Sequence, residues 1–126
     1  MIFDTDVLIW ATRGNARAAA WIDAAAERAV SIVTVMELLQ GARSKAEMKT
    51  LRQAFHTTGF RVYPLTETVS GSAVGLIEEY ALSTGLQVAD ALIAATAIVA
   101  GETLVTANEK HFRQIRNLTL KTFRVR

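Results

Sequence analysis

No cysteine occurs anywhere in the 126 residues. That absence removes disulfide scaffolds, thiolate zinc sites and cysteine nucleophiles together, and it suits a reducing cytosol. A single proline and seven glycines, beside 51% hydrophobic and 21% charged residues, exclude collagen-like and disordered chains. Long hydrophobic runs are missing as well. The longest apolar stretch, Gln87 to Ala100, is broken by Asp90 and is too short to span a bilayer. The opening MIFDTDVLIW carries two aspartates where a secretory signal would have none. A soluble, cytoplasmic protein with no membrane partner is expected, folding as one domain over residues 1–126 without a staple.

Cations are absent over a long central stretch. Between Val62 and Glu109 there is no Lys or Arg, while Glu67, Glu78, Glu79, Asp90, Glu102 and Glu109 are acidic. From Lys110 to Arg126 six basic residues occur and no acidic one. A second basic stretch runs through Arg43, Lys45, Lys49, Arg52 and Arg61, opposed only by Glu47. Solvated faces would account for either stretch alone. A basic rim around an acidic centre would also suit a polyanion held over a metal ion.

Short apolar runs alternate with helical periodicity. Strands are expected at Met1–Phe3, Ala29–Val33, Arg61–Tyr63, Thr103–Thr106 and Leu118–Thr122. Helices are expected from Asp4 or Thr5 through Trp10, Asn15 through Ala26, Thr34 to Gly41, Lys45 to Thr57, Thr66 to Ser83 and Val88 to Ala100. The last is apolar on nearly every side, which predicts burial. This alternation predicts an α/β fold, a central and mostly parallel sheet of four or five strands flanked by helices.

Ligands of such sheets bind at the carboxyl ends of the strands. Asp4 follows the first strand, and Glu37 falls in the first turn of the helix expected after the second. Asp90 opens the helix that feeds the strand at Thr103, and Thr106, Asn108 and Glu109 follow that strand. Each acid has a modest explanation of its own. Asp4 can cap a helix, Thr34-Val35-Met36-Glu37 has the form of a capping box, and Asp90 gains from a helix dipole. One metal site explains Asp4, Glu37 and Asp90 together. Their all-oxygen donors favour Mg²⁺ or Mn²⁺ over zinc, and the chemistry implied is metal-assisted phosphodiester hydrolysis.

FDTDVLIW, SIVTVMELLQGA and VADALIAATAIVAGETLVTANEKHF, in that order, resemble a PIN-domain nuclease. Their spacing is most similar to the VapC toxins of VapBC type II toxin–antitoxin pairs. The resemblance runs to about Ile115, with residues 44–84 matching only in length and character. It implies a PIN-like three-layer sandwich, with Asp4, Glu37 and Asp90 as catalytic and metal-binding acids. Thr5, Asp6, Thr106 and Asn108 would support them, with Asn108 completing the cluster or orienting its water. His111 stands where many members have Asp, so a fourth carboxylate is in question, and a surface role is expected for this histidine. Also implied are endoribonuclease activity on tRNA or other structured RNA, homodimerisation, and inhibition by a VapB-like antitoxin whose C-terminal segment lies in the active-site groove. The apolar stripe of Thr66–Ser83 would serve either a dimer interface or the core.

Two other readings compete. Asp4-Thr5-Asp6-Val7-Leu8 is similar to the D-x-D motif of haloacid-dehalogenase-like phosphatases, with Asp4 as nucleophile and Asp6 as acid/base. The chain lacks a later paired aspartate, has no Lys between Thr50 and Glu109, and is short for a core plus cap. The other is a non-catalytic PIN-like module that binds RNA or a partner. Cleavage by attack of the ribose 2′-hydroxyl would need His56 or His111 as base, and neither has a visible partner in the sequence.

Overall fold

Five short strands and six helices follow one another in the computed structural model, which describes residues 1–126. In chain order they are β1 (Ile2–Phe3), α1 (Thr5–Thr12), α2 (Ala16–Ala24), β2 (Ala29–Ser31), α3 (Ile32–Gln40) and α4 (Lys45–Thr57). There follow β3 (Arg61–Tyr63), α5 (Glu67–Thr84), α6 (Val88–Ala100), β4 (Leu104–Thr106), a 3₁₀ turn at Glu109–His111 and β5 (Leu120–Thr122).

The sheet has the order β3-β2-β1-β4-β5, and every pairing is parallel. From β1 the chain builds outward through β2 to β3, then crosses back through α5 and α6 to lay β4 on the other side of β1. The reversal between β1 and β4 opens a crevice at their carboxyl ends, the usual ligand position in such sheets.

Strand periodicity divides the core into two layers. Ile2, Ala29 and Leu104 face one cluster, built with Val69, Ala73, Leu76 and Tyr80 of α5 and Ile93, Ala94 and Ala97 of α6. Phe3, Val30 and Val105 face the other, with Val7 and Leu8 of α1, Ile22 of α2 and Phe123. Burying a side chain such as Phe3, which is fully enclosed, contributes about 1.5–3 kcal/mol. The α5 stripe expected from the sequence therefore faces the core, where Val69, Ala73 and Tyr80 are buried. Its opposite face leaves Val74 and Leu82 exposed. Burial of α6 is less complete than its composition suggests, since Val88 and Val99 reach solvent at its two ends. No helix is long and apolar enough to cross a membrane.

The main departure from the sequence pattern lies at β2 and α3. Ile32 and Val33 read as the end of a strand, yet β2 stops at Ser31 and the helix begins at Ile32. Ser31 caps it, its hydroxyl accepting from the Val33 amide at 3.1 Å. Packing overrides β-propensity here, because helical Val33 enters the α5–α6 layer while Val35 and Leu38 enter the other. Glu37 consequently lies in the second turn rather than the first, and the capping box expected at Thr34 does not form.

Helix α4 sits differently from the rest. None of its residues is buried, and it is attached through the partly buried Leu51 and Phe55. Before β1 and β4, the N-terminal ammonium meets Glu102 Oε1 at 3.0 Å, and the Tyr63 hydroxyl donates to the other oxygen of that carboxylate.

Ser31→Ala should lower unfolding stability by about 1 kcal/mol, the usual worth of an N-cap. Urea denaturation measures this, and an unchanged midpoint would show that the cap bond contributes nothing.

Candidate active site

Four segments bring side chains to the β1–β4 crevice. Asp4 leaves β1 as the N-cap of α1, where its Oδ1 accepts the Thr5 amide at 2.8 Å. Its Oδ2 accepts the Thr106 hydroxyl at 2.8 Å from the end of β4. The helix cap and the site are thus the same carboxylate. Asp6, in the first turn of α1, receives the Ala107 amide at 3.2 Å on each oxygen. The Asn108 amide donates to Thr106 Oγ1 at 3.0 Å, so the turn after β4 is bonded down against both aspartates.

Glu37 reaches the same region from α3. The Thr5 hydroxyl donates to its Oε1 at 2.7 Å and lies 3.0 Å from the hydroxyl of Thr34, which is wholly buried. Asp90 enters from the first turn of α6. Its Oδ2 lies 3.2 Å from His111 Nδ1, and His111 Nε2 lies 3.2 Å from Asn108 Nδ2. Glu109 turns away, accepting the Thr122 hydroxyl at 3.1 Å.

The structure thus gathers Asp4, Asp6, Glu37, Asp90, Thr5, Thr106 and Asn108 at the carboxyl edge. Two residues stand differently from their sequence reading. His111, expected as a surface residue without a partner, is half exposed but bonded to Asp90. Thr34, read only as a cap, braces Thr5. The resemblance marked position 111, whereas a threonine within a helix gives no sequence signal that it faces a site.

Electrostatics identify what the site lacks. Burial, with the charge of Asp6 next in weight, pushes the Asp4 carboxyl up to about 8. Asp6 and Asp90 are also raised, mainly by burial; at Asp90 the neighbouring His111 opposes the rise, while Glu37 and Asp6 add to it. None of Asp4, Asp6, Glu37 or Asp90 pairs with a Lys or Arg. Clustered acids with no internal cation are the donor set of a hard divalent ion. As they stand, no three His, Asp or Glu side chains converge on a single point. Mg²⁺ does not need such a cage, since it is commonly held by one or two carboxylates with several waters.

Open grooves flank the acids. One of about 510 Å³ runs from Glu37 past Arg13 and Arg43. Another of about 480 Å³ runs from Asn108 past Lys110, Arg124 and Arg126. A third groove, of about 250 Å³, is apolar, lined by Leu8, Ile22, Leu38, Leu51, Phe55 and Phe60 among others.

The raised Asp4 pKa sets a sign for stability without metal. Between its ordinary value of 3.8 and about 8, the folded protein holds a proton that the unfolded chain has lost. Stability is therefore fully present below about pH 4 and lost as pH rises to 8. Thermal melts in EDTA should fall from pH 5 to 8, and Asp4→Asn should flatten that fall. A parallel decline in the variant would show that Asp4 is not its source.

Comparison with known proteins agrees with the architecture. The PIN domain family model matches residues 1–118. Ribonuclease VapC10 of Mycobacterium tuberculosis is 34% identical over 122 residues, covering 94% of this chain and 90% of that one. A toxin–antitoxin complex from Klebsiella pneumoniae contains a chain with TM-score 0.79 and 30% identity, with 94% of each chain covered. VapBC2 from Rickettsia felis, solved with a DNA fragment from its promoter, has TM-score 0.83 over 98% of this chain and 99% of that one. At 24% identity, it supports the fold alone. With the parallel sheet, the crevice and its acids already in place, these matches assign the chain to the PIN-domain family, among the VapC ribonucleases.

Proposed function

We propose that this chain is the toxin of a toxin–antitoxin pair, an endoribonuclease that hydrolyses phosphodiester bonds of tRNA or another structured RNA with Mg²⁺ or Mn²⁺. The observation that carries the reading is the cluster of acids, buried Asp4 with half-buried Glu37 and Asp90, with Asp6 behind them and no Lys or Arg paired to any of them. The ribonuclease name of the Mycobacterium tuberculosis relative and the toxin–antitoxin complex from Klebsiella pneumoniae support it.

Asp4, Glu37 and Asp90 would hold the ion. A bound divalent cation offsets the repulsion among these acids, polarises a phosphodiester and makes water nucleophilic near neutral pH. The chain's own residues prepare the place. Thr106 and the Thr5 amide fix both oxygens of Asp4, while the Thr5 hydroxyl fixes one oxygen of Glu37. Asp6 stabilises the β4 turn and so keeps Thr106 and Asn108 in position. Arg13 and Arg43 on one side, and Lys110, Arg124 and Arg126 on the other, offer cations to phosphates flanking the cut.

The apolar groove between α1, α2, α3 and α4 accommodates the hydrophobic face of a partner segment. We assign it to a VapB-like antitoxin, with the toxin itself a homodimer in the cytoplasm. The phosphatase alternative loses support, because Asp6 is committed to the Ala107 amide rather than free to act as acid. A non-catalytic module differs in its consequences at Asp90.

Purified chain, freed of any partner, should cut total RNA at discrete sites with Mg²⁺ or Mn²⁺ and not with EDTA. The products should carry 5′-phosphate and 3′-hydroxyl ends, and Asp90→Asn should abolish the cuts. A 2′,3′-cyclic phosphate would mean that the ribose 2′-hydroxyl attacked, overturning the mechanism. Bound but uncut RNA in both metals would favour the non-catalytic module.

Removing charge from the groove should act on binding rather than turnover. Arg13→Ala with Arg43→Ala should raise KM several-fold near 0.15 M salt, flatten its salt dependence and leave kcat nearly unchanged. Equal loss in kcat would place these arginines in the chemical step instead.

A further inference from the structure

We propose that His111 is a positioning residue that holds the Asp90 carboxylate in its ion-binding orientation, with Asn108 fixing the imidazole. The inference rests on the metal-dependent reading of the site and deepens it.

With the Asn108 amide nitrogen facing the ring, one tautomer of His111 satisfies both of its contacts. Asn108 Nδ2 carries only donors, so His111 Nε2, 3.2 Å away, accepts from it. An imidazole that accepts at Nε2 keeps its proton on Nδ1. Nδ1 itself lies 3.2 Å from Asp90 Oδ2. The sequence Asn108 to His111 to Asp90 thus runs donor to acceptor throughout with a neutral ring. It links the β4 turn to the first turn of α6.

The other carboxylates show why such a support matters. Asp4 is fixed by Thr5 and Thr106, and Glu37 by Thr5. No backbone amide or side-chain hydroxyl donates to the Asp90 carboxylate as one does to Asp4 and Glu37. Its neighbours Ala89 and Ala91 can donate nothing from their side chains. His111 is then the side chain that orients it. A neutral donor suits the task, because it fixes one carboxylate oxygen without cancelling the charge that an ion requires. Donors that orient an ion-binding carboxylate in this way change metal affinity or activity by about 10–100-fold when removed.

The test compares His111→Ala, His111→Asn and His111→Gln with the unaltered chain and with Asp90→Asn. Mn²⁺ binding by calorimetry and steady-state RNA cleavage are both measured. An Asn amide nitrogen lies at about the position of imidazole Nδ1, whereas the Gln amide reaches toward that of Nε2. His111→Ala should weaken Mn²⁺ binding about tenfold and lower kcat, with KM for RNA unchanged. His111→Asn should restore most of both losses and His111→Gln should not. Melting temperature should be nearly unchanged in all three, since the side chain is 56% exposed.

Unaltered Mn²⁺ affinity in His111→Ala would overturn the proposal while leaving the metal site intact. A loss confined to KM would also overturn it, placing His111 against RNA. Equal rescue by Asn and Gln would exclude the Nδ1 contact as the cause. An unaltered chain that binds no Mn²⁺ would remove the metal-dependent reading and this inference together.

Discussion

The hydrogen bond from the Thr106 hydroxyl to the Asp4 carboxylate closes the two central strands at their carboxyl ends. Both strands are short, and β1 has only two residues, so backbone pairing alone would leave the ends of β1 and β4 poorly fixed relative to each other. The side-chain bond, the Asp6–Ala107 contacts and the Asn108 amide extend the ladder past the sheet. Everything at the site is referred to that clamp. Glu37 is tied to it through Thr5, and Asp90 through His111 and Asn108.

That arrangement places negative charge where water is scarce. In ordinary cores a buried acid is paired with a base, yet here Asp4, Asp6 and Glu37 are paired with hydroxyls and amides, and Asp90 alone meets an imidazole. Such partners orient a carboxylate while leaving its charge unanswered. The cations of the chain lie farther out, in grooves on either side, where they act on a polyanion rather than on the acids. Separation of the two signs is therefore the organising feature of this surface. Acids sit at the bottom of a crevice and bases along the approaches to it.

Much of this was legible in the sequence for a physical reason. Strand ends and helix starts are marked by local chemistry, so Asp4, Asp90 and Thr106 could be assigned to one edge of the sheet. The pattern failed where tertiary packing competes with propensity. Ile32 and Val33 are β-branched and read as strand, but the helix they begin buries Val33, Val35 and Leu38 on two sides, which outweighs their preference. Glu37 was consequently placed a turn too early, although its edge of the sheet was correct. His111 escaped because its partners are Asp90, twenty-one positions away, and an adjacent amide. Periodicity carries no information about contacts of that kind.

The clamp also has a consequence for timing. Asp4 and Thr106 stand 102 positions apart, so the first acid of the site is made long before the residue that anchors it. A chain halted anywhere before β4 has neither the central pairing of the sheet nor a fixed Asp4. Contacts of such long sequence separation form late and slowly. A growing polypeptide attached to a ribosome, surrounded by RNA, therefore carries the acids without the geometry that makes them a nuclease. Competence arrives only once β4 and the turn after it have been made.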